Sequence, residues 1–498
     1  MLHILLIAAA LAIHASASDQ WNAPLAQLFT AAGAEPALAA ALSLLLASSP
    51  LALAWLITHH LCRAAARAID QQGDHHAPFR ASRVSALFRS ASCIWLATTA
   101  LCFGWVKLSG LALAAALPAI PPSIALYLCE LLALVLLSLL MAASWWSLAP
   151  VERRLREATL LRHLDTGRPL WEIPTRAQFT LARLRDSTLF MLVPIVVLMS
   201  LSRALDWLAA RILSAAQSGQ SWAVWLPAWS LDPDSPITIA AMLQVVGVIA
   251  ALAFMPLLQR RIWDTVPLAT GPLHHAITAL CAQSRARIRR ILVWRTRGLS
   301  VNAAVLGALP RWRYLIFTDA LLESMPAPHV QAVAAHEIGH LRHHHVAWLI
   351  AGMAGVLLLT SELAARAALA AGLGDGMVEL AGLAAAIFLG VPILGVVSRR
   401  FEWQADAHAA RLLSPPGSPN IDPAAALTVA AALASVASLN GVDPDSLSWR
   451  HGSISLRRRR VRALANLPAA RLPIDRTARQ LKLALLACWL GVLALVLT

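Results

Sequence analysis

His336 and His340 stand four residues apart in the segment Ala335-His336-Glu337-Ile338-Gly339-His340. On a helix that spacing puts both imidazoles on one face, where two ring nitrogens can grip one tetrahedral metal. Glu337 lies one position along, off the ligand line but close enough to take a proton from a water on that metal. The run 327–335 has no glycine, and no proline after its start, so it predicts a helix. A catalytic zinc also needs a third protein ligand and an open position. Glu402 and Asp406 are again four apart, in Phe401-Glu402-Trp403-Gln404-Ala405-Asp406. Glu402 can ligate, and Asp406 can accept the spare N–H of a ligating histidine and fix its tautomer. Two such carboxylates would ordinarily be a solvated helix face; the histidine pair upstream favours the ligand reading. The expected set is therefore one Zn²⁺ on His336, His340 and Glu402, with Glu337 as the base and Asp406 behind a ligand.

The elements that must position these residues are membrane helices. Of the 498 residues, 58% are hydrophobic and 13% charged, a balance that predicts a mostly α, polytopic membrane protein rather than a soluble enzyme with one anchor. The net charge of +15 is gathered between apolar runs, as membrane topology requires; no nucleic-acid motif accompanies it. The six cysteines are scattered without a C-x-x-C pair and read as small core hydrophobes.

Residues 1–18 read either as a signal peptide ending in Ala15-Ser16-Ala17 or as a first transmembrane helix. Runs long enough to span a bilayer lie near 37–58, 94–117, 124–149, 188–209, 237–258, 346–368, 377–398 and 480–498. This gives an N-terminal membrane region over 19–258 with about five helices, two soluble segments at 259–345 and 399–479 flanking a helix pair at 346–398, and a C-terminal span at 480–498. Arginine is concentrated in 59–93, 150–187, 259–345 and 399–479 and nearly absent from the pieces between them. Positive loops stay inside, which points both halves of the site to the cytosol, in a bacterial inner membrane. Trp222, Trp225 and Trp229 on the other side fit an interfacial belt. The helix pair turns around at 372–376 and would return Glu402 to the face carrying His340, with the zinc helix running straight into the span near Val346.

Segments 291–294 and 314–317 read as short strands. His344 falls on the face of His336 and His340 and is expected beside the site rather than as a fourth ligand, which would close the water position. Arg457–Arg460 reads as a solvated run near anionic headgroups. Lys107 and Glu130 are expected to pair within the membrane, and Glu362 with Arg366 along one helix.

The motif His336-Glu337-Ile338-Gly339-His340, followed by Phe401-Glu402-x-Gln404-Ala405-Asp406, resembles metallopeptidase family 48, the CAAX prenyl protease and HtpX type. Asn302-Ala303-Ala304 with Gly307, the segment 313–322, and His451-Gly-Ser-Ile-Ser-Leu-Arg457 are similar to further family segments, in the same order, over about residues 290–465. The resemblance implies a small α+β gluzincin-type zinc peptidase domain on the cytoplasmic face of a helical membrane protein. It implies that Asn302 and Ala303 present a strand edge to an extended substrate, where an ordinary hairpin would otherwise be read. It implies that His451 donates to the tetrahedral oxyanion, although Gly452-Ser453 replaces the CAAX branch's paired prolines, and it allows a contact from Arg457 to a substrate carboxylate. His408 replaces an aromatic residue. The CAAX branch implies a substrate lipidated at its C-terminus; the HtpX branch implies damaged membrane proteins. A membrane sensor protease, a site-2 protease, and an inactive scaffold or transporter that kept the fold are the competing readings. The sensor would need a large extracytoplasmic domain, and Asp375-Gly376 lies on the wrong side for a site-2 ligand.

Overall fold

The structure is a computed structural model, which describes residues 2–17, 35–72, 76–165, 171–218, 238–307 and 309–497 together with residues 23, 25, 74 and 220. Trp222, Trp225 and Trp229 lie outside the described residues. Two compact units divide the chain, the first built mainly from Met1–Arg211 and the second mainly from Asp264–Thr498.

In the first unit α1 (Leu2–Ser16), α2 (Pro36–Gln72), α3 (Ala77–Phe103), α4 (Trp105–Ala116) and α5 (Pro122–Asp165) are followed by α6 (Arg176–Gln217), which contains a π-turn at Leu184–Leu189. Helix α1, of 15 residues, is short of the roughly 20 needed to span a bilayer. It nevertheless packs as core: Leu6, Ala9, Ala10 and Ile13 are fully buried in a cluster with Leu96, Leu137 and Met141. The apolar run 94–117 is not one span. Gly104 adopts the left-handed conformation (φ 61°) and caps α3, so the membrane helix is Ala77–Phe103 and α4 is a separate short helix. Glu130, fully buried on α5, is held by His14 Nδ1 at 3.2 Å and by Arg203. Among the described residues its ion-pair partners are those two rather than Lys107, which lines a nearby cleft with His14 and Arg203.

Helix α7 (Ile239–Ile262) leads to β1 (Thr265–Pro267), α8 (Pro272–Gln283), β2 (Arg290–Trp294), β3 (Ala303–Leu306), β4 (Tyr314–Thr318) and α9 (Asp319–Ser324). The sheet order is β1-β2-β4-β3. The two strands expected from sequence, β2 and β4, are parallel neighbours, not a hairpin, and β3 is an antiparallel edge strand on β4. Tyr314, Leu315, Ile316 and Phe317 are buried, making β4 the centre of this small core.

Then come α10 (Ala327–Arg342), α11 (His345–Ala370), α12 (Asp375–Ala385), which passes through a π-turn at Ala386–Gly390 into α13 (Val391–Leu413), α14 (Pro423–Leu439), α15 (Ile454–Arg462) and α16 (Pro473–Leu497). Among the described residues eight helices are long and apolar enough to cross a membrane: Ala37–Asp70, Ala77–Phe103, Pro122–Ala158, Arg176–Gln217, Ile239–Ile262, His345–Ala370, Ala381–Leu413 and Pro473–Leu495. The fold is a polytopic helical bundle carrying a small α+β domain. Glu362 and Arg366 form the expected pair, at 2.7 Å.

Candidate metal centre

Helix α10 starts on a proline at its first turn, where a missing N–H costs nothing, and buries Val330, Ala334, Ala335 and Ile338. Its neighbour is α13. Gly339 makes a close approach possible: a Cβ on it would lie 3.1 Å from the Ala405 Cα and 3.1 Å from the His408 Cβ. The contact faces His336 and His340 of α10 toward Glu402 and Asp406 of α13.

The donor atoms converge. His336 Nε2 and His340 Nε2 are 3.1 Å apart, and they lie 3.6 and 3.7 Å from the two Glu402 carboxylate oxygens. Tetrahedral zinc ligands at about 2.0–2.2 Å from the metal stand about 3.3–3.5 Å from one another, so this set fits such an ion; among the described residues it is the one His/Cys/Asp/Glu group of this kind. Asp406 Oδ1 lies 2.9 Å from His336 Nδ1, which leaves Nε2 facing the other donors.

Arg457 was expected in solvent or on substrate; it is buried instead. Its Nε and Nη2 donate to the two Asp406 oxygens at 2.8 and 2.7 Å, and its Nη1 lies 3.0 Å from Glu402 Oε2. A planar guanidinium can serve both carboxylates at once, and it offsets two negative charges that burial would otherwise make costly. His451, half exposed, sets Nδ1 2.9 Å from Glu402 Oε1.

Electrostatics separate the roles. Burial pushes the Glu337 carboxyl up to about 7, with the Val305 backbone N–H and His336 pulling the other way. Burial, reinforced by neighbouring His336, pushes His340 down to about 3. For His336 burial also disfavours charge, but the Asp406 carboxylate outweighs it and raises the group. The same carboxylates hold Arg457 above its ordinary range against the effect of its own burial.

Helix α10 does not run on into the membrane span. His344 takes a left-handed conformation (φ 56°) and separates α10 from α11, so His344 leaves the ligand face and His345 comes back to it. His345 Nδ1 lies 3.0 Å from His340 Nδ1, its Nε2 is 3.0 Å from Gln404 Oε1, and Gln404 Nε2 donates to Asp475 Oδ1 at 2.8 Å. Sequence spacing pointed to the wrong histidine of the three, because helical periodicity was carried through a break. Asn302 and Ala303 lie at the start of the edge strand: Thr318 N–H donates to the Asn302 carbonyl at 2.9 Å, and the Asn302 side chain accepts from the Ala303 N–H at 2.9 Å.

Part of the chain is similar to known proteins. Residues 267–463 match the model of peptidase family M48. A protease HtpX homolog from Aeropyrum pernix is 32% identical over 129 residues, which is 24% of this chain and 40% of the relative; the matched part thus spans less than half of that protein. The crystal structure of S. mikatae Ste24p superposes with a TM-score of 0.44 at 14% identity, covering 84% of this chain and 98% of that one. The part of the chain that is similar to peptidase family M48 is thus residues 267–463, which carry His336, Glu337, His340 and Glu402.

Proposed function

We propose that the protein is a zinc-dependent integral membrane endopeptidase that hydrolyses peptide bonds at the cytoplasmic membrane face. The observation that carries this reading is the convergence of His336, His340 and Glu402 with a half-buried Glu337 on the same helix turn. Orientation follows from the arginine-rich segments 59–93, 150–187, 259–345 and 399–479, all assigned inside by the positive-inside rule.

Bound at these three residues, Zn²⁺ would supply Lewis-acid polarisation of the scissile carbonyl and lower the pKa of a water. The chain's own groups do the rest. Glu337, with its carboxyl raised by burial into the working range of a base, accepts the water proton and passes it to the leaving amine. His451 is anchored through Nδ1 on Glu402, so its other nitrogen is the one available to donate to the oxyanion. Arg457 fixes the third ligand and Asp406 together. The edge strand β3 receives the substrate backbone. Because the Asn302 carbonyl is turned toward β4, alternation turns the Ala303 backbone to the open side, with the Asn302 side chain already on its N–H.

The motif resemblance implies two substrate classes: damaged membrane proteins, and proteins carrying a C-terminal lipid. The test is cleavage of an unfolded membrane protein and of a C-terminally prenylated peptide by the purified full chain, with zinc removed and restored. Zinc-dependent cleavage supports the reading, and the substrate that is cut chooses the class. Failure of the zinc-loaded chain to cut either substrate contradicts it and favours a scaffold or transporter that kept the fold.

A further inference from the structure

We propose that His345 is a positioning residue, which through Gln404 and Asp475 holds His340 in the tautomer whose Nε2 is bare. The inference rests on the reading of His340 as a metal ligand. Its logic starts at the far end of the chain of contacts. Asp475 is ion-paired through Oδ2 to Arg411 at 2.8 Å, and its Oδ1 accepts from Gln404 Nε2 at 2.8 Å. A carboxylate only accepts, so the Gln404 amide is oriented with its NH₂ toward Asp475 and its oxygen toward His345. That oxygen, 3.0 Å from His345 Nε2, also only accepts, so His345 carries its proton on Nε2. The ring of His345 is fully buried and stacked on Phe401 at 4.5 Å, and no carboxylate among the described residues contacts it, conditions that favour the neutral form. A neutral ring protonated on Nε2 offers a lone pair on Nδ1. This lone pair faces His340 Nδ1 at 3.0 Å, and the proton between them belongs to His340. His340 Nε2 is then unprotonated, 3.1 Å from His336 Nε2.

The two histidines are thus served by different devices. His336 is fixed by the carboxylate Asp406, whereas His340 is fixed by a neutral relay that brings no charge to its ring. The left-handed turn at His344 is what aims His345 back at α10.

The experiment measures the zinc dissociation constant of the purified full chain by competition with a chromophoric chelator, alongside the thermal midpoint of the metal-free protein. Three variants are compared with wild type. His345→Phe keeps a ring to stack on Phe401 but removes the acceptor; His345→Asn leaves a gap but can keep an acceptor near the Nδ1 position; Gln404→Leu removes the relay one step away. Loss of an outer partner of a metal-binding histidine typically weakens binding by roughly 10–100-fold, and that loss is expected for His345→Phe. A smaller loss is expected for Gln404→Leu and substantial recovery for His345→Asn, with the midpoint of the phenylalanine variant near wild type. A packing role predicts the reverse order, with phenylalanine binding zinc as wild type does and asparagine binding poorly; that result overturns the proposal. Should His345→Phe not fold, unchanged affinity in Gln404→Leu overturns it as well. Wild type without zinc removes the metal reading along with the relay, whereas zinc-loaded wild type beside an unaffected phenylalanine variant removes the relay alone.

Discussion

Gly339 of α10 and Ala405 of α13 hold the two halves of the site together: a Cβ on the glycine would approach the alanine Cα to 3.1 Å. The neighbours would have to give by only a few tenths of an ångström for alanine, but leucine cannot be accommodated. Gly339→Ala is expected to reduce stability slightly. Gly339→Leu is expected to cost about 1–3 kcal/mol or more through overpacking and to lower zinc content by separating His336 and His340 from Glu402. Thermal unfolding and metal analysis of both variants check this.

Arg457 is buried between Asp406 and Glu402. Removing one partner of such a group leaves charge uncompensated, at about 3–5 kcal/mol. Arg457→Met should therefore destabilise the metal-free protein strongly. Arg457→Lys should not rescue it, since an ammonium cannot bridge both carboxylates with a planar fork. Substitution of Arg459, which is exposed, is expected to change melting little.

As the proposed base, Glu337 would act only when ionised, and burial raises its carboxyl to about 7 in the metal-free site. The ionised fraction grows with pH, so kcat/KM should fall on the acid side. A cation held by the neighbouring donors pulls the group down, so the inflection should lie at or below about 7. A pH profile of kcat/KM at saturating zinc tests this, and an acid limb centred well above 7 would exclude Glu337 as the titrating base.

In the membrane region Glu130 is fully buried on His14 and Arg203. Arg203→Leu should destabilise toward the low end of the about 3–5 kcal/mol seen when a buried pair is broken, because His14 remains. The double change with Glu130→Gln should recover part of the loss. Melting of the single and double variants gives the coupling.

The sequence was informative where one element's periodicity carried the information. Two pairs at four-residue spacing on uninterrupted helices, His336/His340 and Glu402/Asp406, could be read as shared faces, and the apolar runs could be read as spans. Reading failed where the backbone leaves its period. Left-handed turns at Gly104 and His344 divided one expected span and exchanged His344 for His345. It failed also where identity depends on long-range packing. Arg457 looks like its arginine neighbours, yet α15 turns it alone among residues 457–460 into the core. The parallel pairing of β2 and β4 is set by β3, which lies between them in sequence but at the edge in space.

The most direct test of the central claim compares Glu337→Gln with wild type for zinc content and for cleavage of an unfolded membrane substrate. Glutamine preserves the side chain's shape and leaves His336, His340 and Glu402 in place, but it cannot accept the proton. The expected result is full zinc content with cleavage reduced by at least about 100-fold, the contribution of a positioned base. Cleavage that persists in the zinc-loaded variant would contradict the account.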